Sequence, residues 1–380
     1  MHDAHLRRIN FNHTPFTVVW EMTRACALNC VHCRAVAQPR RHPLELTTDE
    51  GFRLIDQVKA FGDPIFVLTG GDPLMRRDIY ELIRYATQEK GLRTSMTPSA
   101  TALVTRERLQ QAKDAGILRV AISLDGPTAE IHDAFRGFSG SFRRTMEILD
   151  DLNRVDLSFQ INTTVSRHNL SVLEEMPGFV ERFGAVQWSV FFLVPMGRGK
   201  VDDVISPEDH ERVFHWLYDL SRHVPFDIKS TAAPQYRRVA IERERQHRRN
   251  GAPPGNRQAT GERSMVEVAL TGAGFQYTDG LHRPVQGVND GKGFVFVSHA
   301  GEVCPSGFLP LVAGNVRVTS LSEIYRHAPL FQELRNPDLL KGKCGICEYR
   351  EVCGGARSRA YALTGDYLAS EPYCVYEPGK

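Results

Sequence analysis

In the segment Glu21–Ala35, EMTRACALNCVHCRA, three cysteines stand in the spacing C-x3-C-x2-C: Cys26, Cys30 and Cys33. Thiols this close together hold either a tetrahedral zinc, completed by His32 or a distant side chain, or an iron-sulfur core. Three thiolates on a four-iron cube leave one iron without a protein ligand, and that iron can take a small chelating molecule. A second group near the C-terminus places Cys344, Cys347 and Cys353 in C-x2-C-x5-C and adds Cys374 from EPYC. Four thiolates make a closed site, and this spacing suits zinc and an iron-sulfur cluster equally. Cys304 is left over and reads as a small buried hydrophobe more readily than as a stray ligand or reactive thiol.

Other strings place polar groups where strands end. In LTGGDPL, Gly70 and Gly71 let backbone approach a ligand closely, Asp72 carries a charge, and Pro73 stops the strand. SLDG supplies Ser123 and Asp125, and HDAFRG supplies Arg136. In isolation such strings are tight turns. QINTT, from Gln160 to Thr164, points polar side chains from a strand end towards the ligand side, in reach of a cofactor or substrate, with hydrogen-bonded structure the commoner reading.

These groups need a scaffold. Between about residues 16 and 195, six apolar runs (FTVVWEM, IFVLTG, LRTSM, RVAISLDG, SFQINTTV and VQWSVFFLVP) alternate with amphipathic stretches at 48–61, 78–89, 105–114, 141–153 and 171–183. TTDE forms a capping start for the first helix. Strand-helix repetition predicts a parallel α/β sheet with right-handed crossovers, and the first cysteine group falls on a loop at its C-terminal edge, where such folds bind ligands. A further helix is expected at 207–222. Beyond it come a charged helical stretch, QYRRVAIERERQHRRN, and a Pro/Gly-rich segment read as a mobile linker. A hairpin, GFVFVSHAGEVCP, precedes the second cysteine group. The expected organisation is a lead-in at 1–15, a core at 16–225, helix and linker at 226–264, and a loop-rich cysteine domain at 265–380.

The 380 residues, 42% hydrophobic and 24% charged with a net charge of +2, describe a globular chain with no global attraction to nucleic acid or acidic membranes. No secretion-type apolar segment and no run of about eighteen apolar residues occurs, so a cytoplasmic protein without a membrane partner is expected. In a reducing compartment, clustered cysteines bind metal or do redox work more often than they form disulfides. The mixed signs of the charged helix read as a solvated face, and nucleic acid is not an expected partner.

The C-x3-C-x2-C loop after a first strand, the GGDP string, and SLDG followed by HDAFRG resemble the radical SAM superfamily. The resemblance implies a partial (β/α)6 TIM-like barrel, with a 4Fe-4S cluster on Cys26, Cys30 and Cys33 whose open iron is chelated by S-adenosylmethionine. It assigns the methionine amino group to Gly70, Gly71 and Asp72, with aspartate standing where glutamate is usual. It assigns ribose and carboxylate contacts to Ser123, Asp125 and Arg136, and adenine contacts to His32, Val194 and Met196. No catalytic side chain is assigned. The second cysteine group resembles a SPASM or Twitch-type extension. Ala356 and Ser306 stand where a further cluster would need cysteines, so the resemblance implies two 4Fe-4S clusters rather than three.

The implied activity is reductive cleavage of S-adenosylmethionine to a 5'-deoxyadenosyl radical that abstracts hydrogen from a small-molecule or peptide substrate, with a flavodoxin or ferredoxin as electron donor. The tail is most similar to radical SAM/SPASM proteins of haem d1 and alternative haem biosynthesis, which act on tetrapyrrole propionates, and Arg198, Arg357 and Arg359 are candidates to receive them, or equally surface charges or groups that hold the chain together. A maturase of ribosomally made peptides is the alternative; the short segment before the first strand argues against it. A non-catalytic zinc or iron-sulfur binding protein is the alternative of a different class.

Overall fold

A computed structural model of the protein describes residues 6–7, 9–249, 283–284 and 287–379. All six expected strands form: β1 (Thr17–Glu21), β2 (Ile65–Thr69), β3 (Arg93–Met96), β4 (Arg119–Ser123), β5 (Phe159–Val165) and β6 (Gln187–Phe192). They lie side by side in chain order, all parallel. A seventh parallel strand, β7 (Asp227–Thr231), adds beside β6, so the sheet continues past residue 225. At the other edge the C-terminal hairpin, β8 (Phe294–Val297) and β9 (Glu302–Cys304), joins the same sheet. Here β8 runs parallel to β1 with Phe294 opposite Thr17 and Val297 opposite Trp20. With the short β10 (Gly314–Asn315) against β9, the sheet has ten strands among the described residues.

The strand period of two divides side chains between two faces. One set, including Trp20, Leu68, Ile122, Ile161 and Trp188, is fully buried against the surrounding helices and forms the main apolar core. The alternate set, including Val67, Ser95, Ala121, Gln160 and Ser189, lines a central cavity. The helices between strands are α1 (Thr48–Lys59), α2 (Ile79–Arg84), α3 (Arg106–Asp114), α4 (Ala129–Arg136), α5 (Ser141–Arg154) and α6 (Met176–Arg182), followed by α7 (Pro207–Leu220) and α8 (Gln235–Arg249).

Helix α1 starts with the expected capping box: Thr47 accepts from the Glu50 amide and Glu50 from the Thr47 amide. Helix α2 passes into one π-helical turn at Tyr85–Glu89, completing the expected 78–89 segment. Helix α4 carries the HDAFRG string and ends at Gly137 in the left-handed conformation. The expected linker lies outside the described residues. Among the described residues no helix is long and apolar enough to cross a membrane.

Candidate functional site

The cysteine loop leaves the C-terminal end of β1 and folds back over the ends of β2 and β3. Gly71 and Asp72 donate their amides to the Thr23 and Ala25 carbonyls, each at 2.7 Å. A Cβ on Gly70 would meet the Thr23 oxygen at 2.5 Å, and one on Gly71 would strike the Ala25 carbonyl. The two glycines are therefore what allows the loop to seat. Ser99, after β3, ties this layer together by donating to the Gly71 carbonyl at 2.7 Å and contacting Cys26 Sγ at 3.3 Å. The sequence reading missed Ser99, because a lone serine after a short strand carries no motif.

Below the loop lies a cavity of about 730 Å³, and all three thiols, Cys26, Cys30 and Cys33, face it. Of the other expected contact residues, His32, Gly70, Gly71, Ser123, Arg136 and Val194 also line it. His32 stacks on Phe135 with ring centroids 4.2 Å apart; burial holds its imidazole well below the usual range, and its Nδ1 has no hydrogen-bond partner. Gln160, Asn162 and Thr164 of β5 line the cavity too, in keeping with the direction that the strand end gives them.

Three expected residues act from behind the wall. Asp72 is fully buried, accepting from the Leu74 amide at 3.1 Å and the Thr101 hydroxyl at 2.9 Å, and burial pushes its carboxyl up. It shapes the turn under the cysteine loop and does not line the cavity. Asp125, also fully buried, accepts from the Thr164 amide at 2.7 Å and pairs with Arg136 at 2.5 Å. The other arm of Arg136 reaches Cys30 Sγ at 3.7 Å, so Asp125 works through Arg136. Met196 lies outside the lining; its amide closes a turn on the Val194 carbonyl at 2.8 Å.

Glu21, the last residue of β1, anchors the loop from below. It is 1% exposed and meets Arg34 at 3.0 Å, His299 of the C-terminal hairpin at 3.0 Å, and Arg24 at 3.4 Å. Burial opposes its charge, yet Arg34, the His299 hydrogen bond and Arg24 hold its carboxyl down to about 2. This carboxylate fixes the hairpin beside the cysteine loop.

The second group converges as well. Cys344, Cys347, Cys353 and Cys374 surround one small cavity. Backbone amides of Gly355 and Glu371 donate to Cys353 Sγ and Cys344 Sγ at 3.4 Å each. Arg357 and Arg359 are not available to a substrate: both are buried. Arg357 is spent on the Gly355, Tyr367 and Ala369 carbonyls, and Arg359 pairs with buried Glu371 at 2.9 Å. They brace the cysteine loops. Arg198 does line the central cavity, with Nε and Nη2 buried and unpartnered. Cys304 is buried in β9, where burial pushes its thiol up to about 12.

Among the described residues, no three His, Cys, Asp or Glu side chains close to the span of a single metal ion.

The sequence profile of the Radical SAM superfamily matches residues 20–176. Over 372 residues the chain is 43% identical to the AdoMet-dependent heme synthase of Methanosarcina barkeri, covering 98% of this chain and 99% of that protein. It is 28% identical over 370 residues to the PqqA peptide cyclase of Rhodopseudomonas palustris, covering 96% and 88% of the two chains. Among solved structures it resembles Streptococcus suis SuiB bound to S-adenosylmethionine, with a TM-score of 0.69 and 15% identity over 96% of this chain and 78% of that one, a likeness of fold.

Proposed function

The chain belongs to the radical SAM superfamily and is an enzyme, and from that premise we infer how its residues divide the work. A 4Fe-4S cluster and S-adenosylmethionine, which when bound and reduced supply a 5'-deoxyadenosyl radical for hydrogen abstraction, are its cofactors. The donor set of the central cavity fits them. Cys26, Cys30 and Cys33 would hold the cluster, and Gly70 and Gly71, which seat the cysteine loop and line the same cavity, border the position of the methionine end. Ser123, with Asn162 and Thr164 beside it, offers hydroxyl and amide groups to the ribose. Arg136, charged and oriented by Asp125, offers a guanidinium to a carboxylate. His32 and the Val194 backbone border the adenine position. Asp72 and Met196 contribute by shaping the loops that carry these groups.

At the C-terminal centre, Cys344, Cys347, Cys353 and Cys374 hold a second 4Fe-4S cluster. All four positions are filled by thiolate, so this centre transfers electrons or braces the fold without binding substrate. A cytoplasmic flavodoxin or ferredoxin supplies the reducing electron.

For the substrate we favour a tetrapyrrole that carries propionate side chains. The observation that carries this is a large cavity walled by the three thiols and, among its cations, by two arginines with no carboxylate partner among the described residues. Arg198 has two buried guanidinium nitrogens without a partner, and Arg237 bonds, among the described residues, the Val352 and Val288 carbonyls at 3.0 and 2.6 Å. Likeness over nearly the whole chain to a heme synthase supports the same reading, while likeness to a peptide cyclase keeps a peptide as the second.

The assignment of the first centre is tested by adding S-adenosylmethionine to the anaerobically reconstituted, dithionite-reduced enzyme and recording its paramagnetic spectrum. A change in the cluster signal that is absent from Cys30→Ala supports it. An unchanged wild-type signal with a full iron content refutes it.

A further inference from the structure

Helix α8 begins directly after β7, and its first turn forms a wall shared by the two cavities. Tyr236 and Arg237 face the central one, while Gln235 and Arg238 face the four-cysteine one. Positions three apart lie on one side of a helix, so the latter two present together.

Gln235 is 1% exposed, yet both its Nε2 and Oε1 are buried without a hydrogen-bond partner. Arg238 is 4% exposed. Its two terminal nitrogens are taken by Glu242 at 2.7 Å and Glu211 at 2.5 Å, but Nε is buried and unpartnered. Buried polar groups in native proteins are almost always satisfied, and a primary amide left bare in the interior is costly. Here one amide and one guanidinium N–H lie bare at the cavity that four thiols surround. Sulfur atoms of an iron-sulfur centre accept N–H hydrogen bonds, and such bonds set its potential.

We propose that Gln235 and Arg238 donate hydrogen bonds to the sulfur atoms of the centre held by Cys344, Cys347, Cys353 and Cys374, and thereby raise its reduction potential. The inference rests on reading that centre as an iron-sulfur cluster. Donors to sulfur favour the reduced, more negative form, so their loss moves the midpoint downwards. The donors come from the barrel side of the molecule, so the potential of the C-terminal centre depends on the segment that also walls the central cavity. Gln235 and Arg238 are positioning residues for the cluster, not catalytic ones.

Metal analysis of the reconstituted full chain comes first. Iron for one cluster only, or zinc at the second centre, overturns the reading underneath and the proposal with it. Iron and sulfide for two clusters validate the reading, and a redox titration followed by paramagnetic resonance then tests the proposal. The first cluster is recognised by its response to S-adenosylmethionine. Gln235→Leu is expected to shift the second midpoint downwards by about tenfold in the one-electron equilibrium, about 59 mV. The first midpoint should stay in place. Gln235→Glu keeps the shape but puts a carboxylate at the sulfur, and is expected to shift the second midpoint at least as far. It decides the question if the leucine variant fails to hold its cluster. A second midpoint unchanged in a variant that retains both clusters overturns the proposal.

Discussion

Replacing Arg359 by methionine should empty the C-terminal centre while sparing the first. The Arg359–Glu371 pair has both side chains 0% exposed, with Nε to Oε1 at 2.9 Å. Burial raises the cost of the Glu371 charge, but Arg359, its hydrogen bond and Arg357 hold the carboxyl below its usual range. The same carboxylate accepts from the Ala356 amide at 2.9 Å and the Tyr373 amide at 3.2 Å, pinning the segment after Cys353 to the one before Cys374. Removing one member of such a buried pair costs about 3–5 kcal/mol. That disfavours the closed arrangement of the four thiols by roughly 10²- to 10⁴-fold.

The assay is iron and acid-labile sulfide per chain after anaerobic reconstitution. Arg359→Met should lose the iron of one cluster, with the S-adenosylmethionine-responsive signal retained. Adding Glu371→Gln removes the stranded charge and should restore most of the loss, since deleting both partners costs far less than deleting one. Full iron in the single variant, or a double variant as depleted as the single, would refute the reasoning.

The first centre supports three further expectations. Gly71→Ala puts a methyl group into the Ala25 carbonyl, so the loop cannot seat; iron at the first centre and 5'-deoxyadenosine output should both fall at least about tenfold, measured by metal analysis and chromatography. Glu21→Gln should lower stability by about 3 kcal/mol at neutral pH, since the native carboxyl sits at about 2 against an ordinary 4.5. The sign follows from a depressed carboxyl: the wild-type advantage is fully present above about pH 4.5 and fades as pH falls towards 2, read as converging urea midpoints. Asp72→Glu, although it introduces the residue usual in the wider superfamily, adds a methylene to a 0% exposed site and should cost about 1–3 kcal/mol in the same unfolding assay.

Much of this was legible because the signals are local. The six core strands alternate apolar and polar residues, and the cysteine spacings sit at strand ends or in loops where a ligand fits. What escaped the sequence reading depended on tertiary context. Strand β7, DIKST, has one strongly apolar residue and an exposed lysine, so it carries too little periodicity to announce itself. Helix α4 is a short eight-residue segment wedged between two turns. The parallel pairing of β8 with β1 joins residues more than 270 positions apart and is set by packing, not by either segment's pattern.

The site was readable as a set of positions but not as a set of orientations. Arg357 and Arg359 read equally as substrate receptors and as braces of the chain, and the fold turned both inwards onto carbonyls and Glu371. Asp72 and Asp125 read as direct contacts, and both lie one layer behind the cavity wall. Charge and motif place a residue near a site; only the packed chain decides which way it points.

The most direct test is to incubate the fully reconstituted enzyme anaerobically with dithionite, S-adenosylmethionine and an iron porphyrin that carries propionate side chains, and to measure 5'-deoxyadenosine and the porphyrin's mass together. The account predicts 5'-deoxyadenosine formed alongside an altered porphyrin side chain in the wild type, with neither in Cys30→Ala. Wild-type protein with both clusters that forms no 5'-deoxyadenosine would contradict the radical chemistry assigned to the Cys26, Cys30 and Cys33 centre. If 5'-deoxyadenosine forms while the porphyrin mass is unchanged, the tetrapyrrole assignment is contradicted.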